Sequence, residues 1–177
     1  MGSITADSSI NGLSNREPIT LQDGTRYVGD LRDGMKHGRG ICWYSEGGRP
    51  AGKYSGEFLE GCRHGGGTFE YPDGSVYIGQ FKQGKREGRG RYCFNDGDSY
   101  DGEWADDAMH GRGVFHCAAD GSSYLGAWDQ GRPLPPGTEP GWAQPTGQQG
   151  APGASPWNSR VPPQSGNGTK AANSGGG

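Results

Sequence analysis

The residues most suggestive of chemistry lie in the stretch GQFKQGKREGRG, where Gly79 is followed by four residues and then by Gly84 and Lys85. A phosphate-binding loop needs G-x-x-x-x-G-K followed by Ser or Thr: backbone N–H groups cradle the phosphates, Lys neutralises them and the hydroxyl ligates Mg²⁺. Arg86 stands where that hydroxyl is required, and Arg ligates no cation. The loop must also open a helix, and Gly88 and Gly90 each weaken a helix by about 1 kcal/mol relative to Ala. Three histidines, His37, His64 and His110, suggest metal binding or general-base catalysis, and each sits beside a glycine. No nucleophile or carboxylate accompanies them at a regular offset, so a stacked row of equivalent loop residues explains them better. His116 lies outside that row. Cys42, Cys62, Cys93 and Cys117 form no C-x-x-C pair and no regular Cys/His spacing, which supports neither zinc nor a disulfide framework. They read as reduced, half-buried apolar residues.

What positions these residues is an internal repeat. Aligned on Tyr-x-Gly, the chain reads YVGDLRDGMKHGRG from Tyr27, YSGEFLEGCRHGGG from Tyr54, YIGQFKQGKREGRG from Tyr77, YDGEWADDAMHGRG from Tyr100 and YLGAWDQGRP from Tyr124. The tyrosines are 27, 23, 23 and 24 residues apart, the first interval being lengthened around GGRPAGK. The three histidines fall ten residues after their tyrosines, and the stretch with the near-match to a phosphate loop is simply the third copy. Lys85 occupies a position held elsewhere by Met35, Cys62 and Ala108, so that likeness is accidental.

Each copy reads as a β-hairpin. Tyr77, Gly79 and Phe81 alternate with Val76, Ile78 and Gln80, the period of a strand. The loop KQGKREG follows, then a return strand over Arg91, Tyr92, Cys93 and Phe94, then the Asn95-Asp96-Gly97 turn. Similar Asp-Gly or Glu-Gly turns recur at residues 23, 46, 73 and 120, and Asp-Gly tolerates the positive φ that tight hairpins need. A single hairpin is marginal, so the copies must stack edge to edge. Gly29, Gly56, Gly79, Gly102 and Gly126 share a face with the tyrosines, leaving notches that an aromatic from a neighbouring strand is expected to cover. The expected fold is all-β: an elongated, twisted, single-layer sheet of stacked antiparallel hairpins. ITLQDG, residues 19–24, looks like the second half of an incomplete copy.

Composition supports a thin sheet. Of 177 residues only 29% are hydrophobic while 37 are Gly, too little to fill a thick core. A net charge of -3 and a pI near 5.8 disfavour nucleic acid as a partner. No basic-plus-apolar leader and no run of 18 apolar residues is present, which implies a cytoplasmic protein. MGSITA approaches an N-myristoylation signal but has Ala at position 6, and the Asn167-Gly168-Thr169 sequon has no secretory context. The chain divides into a flexible N-terminus (1–18), the repeat array (19–132) and a Pro/Gly/Ser-rich tail (133–177) expected to be disordered, within which Trp142 and Trp157 are candidate anchors.

The five Tyr-x-Gly starts in register resemble MORN repeats, which run Y-x-G-x-[F/W]-x-x-G-x-x-H-G-x-G, and the resemblance covers residues 19–132. Local departures are Glu87 for His in the third copy, Asp107 for Gly in the fourth, and a fifth copy ending at Arg132-Pro133, whose edge residues 134 onward must either cap or leave open. The resemblance implies a non-enzymatic interaction scaffold without cofactor, of the kind found in cilia and flagella, cytoskeletal assemblies and membrane contacts. Some such arrays present an aromatic groove to a helical segment of a partner. Enzymes with these repeats carry a separate catalytic domain, for which this chain leaves no room.

On the residues themselves, Tyr54, Phe58, Tyr77, Phe81, Tyr100, Trp104, Tyr124 and Trp128 are the candidate partner-binding residues, since a single layer is expected to leave an aromatic face exposed. The competing explanation is sheet stabilisation through cross-strand packing. A second reading puts anionic lipid against a basic loop edge made by Lys36, Arg39, Arg63, Lys85, Arg86, Arg89 and Arg112. Asp33, Glu60, Glu87, Asp106 and Asp107 interleave with them, and a solvated mixed edge is the plainer account. Self-association through open sheet edges is a further expectation.

Overall fold

The computed structural model describes residues 17–135 together with Pro162 and Pro163. Almost all of the two expected terminal segments, Trp142 and Trp157 included, lies outside the described residues. Eleven strands run in chain order: β1 (Ile19–Thr20), β2 (Arg26–Arg32), β3 (Met35–Glu46), β4 (Arg49–Leu59), β5 (Cys62–Glu70), β6 (Val76–Lys82), β7 (Lys85–Cys93), β8 (Ser99–Ala105), β9 (Ala108–His116), β10 (Ser123–Asp129) and β11 (Arg132–Pro133). They form one open sheet in which each strand pairs antiparallel with its neighbours in sequence.

The segment KQGKREG is not a loop. Only Gln83 and Gly84 turn the chain, at φ 52° and 86°, the left-handed pair that a two-residue type I′ hairpin requires. Lys85 through Gly90 belong to β7. The residues added in the first interval lengthen β3 and β4 to 12 and 11 residues and close on Gly47-Gly48. The Asp-Gly turns form as expected: the carboxylates of Asp23, Asp73, Asp96 and Asp120 each accept the backbone N–H two residues on. Beyond the last full hairpin, Leu134 N–H donates to Ala127 O and Tyr124 Oη donates to Leu134 O, so the final copy is capped. Both edge strands are two residues long, and the last carries Pro133, which limits pairing with another chain.

The glycine notches are filled from an unexpected direction. Tyr77 folds along its own strand and lies over Gly79 and over Gly90, the residue paired with Gly79 on β7. Its hydroxyl donates to Gln80 O at 3.0 Å, where the register shifts. The same arrangement recurs with Tyr27, Tyr54 and Tyr100, whose hydroxyls reach Asp30 O, Glu57 O and Glu103 O. Two facing glycines thus make a trough one ring wide, and the ring restores the burial they forgo.

Candidate functional site

The aromatic residue two positions beyond Gly56, Gly79, Gly102 and Gly126 completes the layer; the first copy carries the exposed Leu31 there. Phe58 stands edge-on between Tyr27 and Tyr54, Phe81 between Tyr54 and Tyr77, Trp104 between Tyr77 and Tyr100, and Trp128 between Tyr100 and Tyr124. Centroid separations of 5.0–5.6 Å and near-perpendicular planes are the preferred aromatic geometry. Phe69, Tyr71, Tyr92, Phe94 and Phe115 pack alongside.

This close packing overturns the expected exposure. All eight candidate partner-binding residues are buried, from 0% for Tyr54, Tyr77 and Tyr100 to 4% for Tyr124. A single sheet does not leave its rings in water when half of them lie flat on glycine and the rest are wedged between. Substituting Trp104 with a charged residue would therefore disrupt the core itself. The milder Trp104→Phe removes the Nε1–H bond to Gly90 O, 2.9 Å long, and is expected to cost about 1 kcal/mol in chemical denaturation. Burial also pushes the hydroxyls of Tyr54, Tyr77 and Tyr100 far above their ordinary pKa, and that of Tyr92 up to about 12. A raised folded-state pKa means the unfolded chain loses these protons first, near pH 10. Stability should hold constant in this respect below pH 10 and fall as pH rises through 10 to 12, measurable as a dropping denaturation midpoint.

The basic residues do not share one edge. Lys36, Arg63 and Arg86 turn onto the aromatic layer: Arg63 lies 5.0 Å from the Phe69 centroid and Arg86 4.7 Å from that of Trp104. Arg63 and Arg86 are buried, at 2% and 0%. Lys85 pairs with Asp106 at 2.8 Å, and this hydrogen bond holds the Asp106 carboxyl below its usual range. Arg39, Arg89 and Arg112 are exposed on the opposite face, where Arg39 stands across from Glu57 and Arg89 from Glu103. The likeness to a phosphate loop dissolves as well, because Gly79 is in a strand, Gly84 in a hairpin turn and Arg86 inside. His37, His64 and His110 sit in strands β3, β5 and β9, not in loops, and His110 Nδ1 lies 3.4 Å from Asp129. Among the described residues no cluster of His, Cys, Asp or Glu is arranged to hold a metal.

Two concave features emerge that sequence reasoning missed. Where Trp43, Tyr44 and Tyr71 meet the lengthened β3–β4 hairpin, they wall a pocket of about 420 Å³ together with Arg26, Lys53 and Glu70. Its only sequence signal is the 27-residue first interval. On the glycine-backed outer face, a groove of about 500 Å³ runs between Arg39 and Gln80. It opens at Gly66, which stands where other copies carry Arg39, Arg89 or Arg112.

The repeating geometry, a tyrosine over a glycine pair and an aromatic wedge behind it, coincides with matches to the MORN repeat model at residues 27–49, 54–76, 77–99 and 100–122. These span more than half of the chain. It belongs to the MORN repeat family. MORN repeats are scaffold modules that meet proteins or membranes. Strands β10 and β11 continue the MORN geometry past residue 122. A comparison with curated proteins returns no match.

Proposed function

We infer that this MORN array is a non-enzymatic scaffold that holds a protein partner along its aromatic face, within the axoneme or cytoskeleton of a cilium or flagellum. The supporting observation is that one face of a single-layer sheet is aromatic from Tyr27 to Trp128. Tyr54, Phe58, Tyr77, Phe81, Tyr100, Trp104, Tyr124 and Trp128 make its stiff floor, while the half-buried Tyr44 and Phe94 supply accessible apolar contact for an extended or helical segment. The ciliary location draws on the use of similar arrays there. Photo-crosslinking residues at Tyr44 and Phe94 should capture the partner in ciliary extracts, and one at Gly66, on the outer face, should not. The opposite pattern would sink the aromatic-face reading. Tagged protein should stay with detergent-extracted axonemes, and its complete release would count against that location.

The lipid reading loses its single basic edge once Arg63 and Arg86 are buried and Arg39 and Arg89 lie on the other face, in register with Glu57 and Glu103. With anionic vesicles at physiological salt the protein is expected to remain in the supernatant, and salt-sensitive sedimentation would revive that alternative.

A further inference from the structure

Nine residues after the first four repeat tyrosines the chain carries Lys36, Arg63, Arg86 and Met109. Arg86 is held differently from its equivalents. Its Nε donates to Asp107 Oδ1 at 3.1 Å and its Nη1 to Tyr71 Oη at 3.2 Å. Nη2 donates to Asp107 O at 2.6 Å and also, at 2.8 Å, to the carbonyl of Pro163, 77 positions away. Pro162, next to that acceptor, has almost no accessible surface. Arg63, by contrast, gives both its Nε and Nη2 to a single carbonyl, that of Gly84.

We propose that the aromatic face around Arg86 is a binding site for a proline-proline segment of extended peptide, and that the chain's own Pro162-Pro163 occupies it. Proline suits this surface because it brings no N–H that burial against aromatic rings would leave unpaired. It offers only a carbonyl, and the buried guanidinium supplies the donor for it. Proline's fixed φ lowers the ordering cost of docking, the reason that aromatic-lined grooves select proline-rich strands in general. Asp107 completes the device. Its carboxylate neutralises the guanidinium while leaving Nη2 free to bind two carbonyls, one from the turn and one from the docked segment. Being part of the same chain, the occupant competes at high effective concentration against any partner strand of the same composition.

This inference rests on the aromatic face being the binding face, and its test separates the two. The probe is a fluorescent peptide of residues 158–166, NSRVPPQSG, with NSRVAAQSG as its control. Anisotropy is read against the full chain and against the full chain carrying Pro162→Ala and Pro163→Ala, substitutions outside the sheet. The proline peptide should bind the substituted chain at least tenfold more tightly than the native one, and the alanine peptide neither. Combining Arg86→Met and Asp107→Gly with the tail substitutions should abolish peptide binding. Equal affinity for both chains, equal binding of both peptides, or no binding to either would overturn the proposal. So would a native dimer that the tail substitutions convert to monomer, since the segment would then lie on a second copy. Partner crosslinks at Tyr44 and Phe94 persisting without peptide binding defeat this inference alone; peptide binding without those crosslinks defeats the partner reading alone.

Discussion

Replacing Arg86 with methionine alone is expected to destabilise the array by about 3–5 kcal/mol, the usual consequence of stranding one member of a buried ion pair. Asp107 is 3% exposed, and Asp107 Oδ1 accepts both Arg86 Nε and Arg86 N–H. Methionine keeps the volume, as Met109 does at the same position one repeat on, but it removes the counter-charge and a donor to two carbonyls. Asp107→Gly alone should also destabilise, because it takes the counter-charge from the fully buried Arg86, but by less, since the guanidinium keeps Tyr71 Oη and the Asp107 and Pro163 carbonyls as acceptors. Asp107 sits at φ 71°, where glycine is unstrained, and Gly84 occupies the equivalent turn beneath Arg63. The double variant should then cost well under the sum of the two, because neither a carboxylate nor a guanidinium is left stranded. Denaturant midpoints for the two single variants and the double decide this. Simple additivity would show that the two side chains are not coupled.

Gly79→Ala should cost about 3 kcal/mol, at the upper end for one methyl group forced into a packed site. An added Cβ would lie 2.5 Å from Gly90 Cα and 2.5 Å from Tyr77 Oη. Neither neighbour can give way cheaply: one is backbone of the paired strand, and the other is fixed by its bond to Gln80 O. Gly66→Ala provides the control, since a Cβ there meets nothing within 4 Å. Equal effects at the two sites would refute the close approach of ring and backbone.

The contrast between these two glycines also marks how far sequence reasoning reaches. Gly66, at the repeat position of the expected loop residues Arg39, Arg89 and Arg112, lies in β5, whereas Tyr-x-Gly in register and its twofold alternation put Gly79 in a strand on the tyrosine face. That pattern did not show whose ring would cover Gly79, because alternation specifies a side and not a rotamer. The same gap explains the mistaken exposure of Trp104 and Tyr77. Their periodicity matches that of any half-solvated sheet, whereas their burial follows from rings lying on glycine pairs and wedging between one another. Arg86 was read as part of a charged loop. Only the collapse of KQGKREG to a two-residue turn carried it into β7 and onto Trp104.

By itself the sequence determined the family, the hairpin unit, the strand order and the half copy at Ile19–Thr20, since these depend on local alternation and on turn residues that tolerate positive φ. Tertiary structure alone decided which charges are inside and which residues outside the sheet touch it. Asp107, visible only as a missing glycine, acquires a role because stacking sets its turn against Arg86 of the preceding copy. Pro163 reaches that same guanidinium from 77 positions away, a proximity no periodicity encodes.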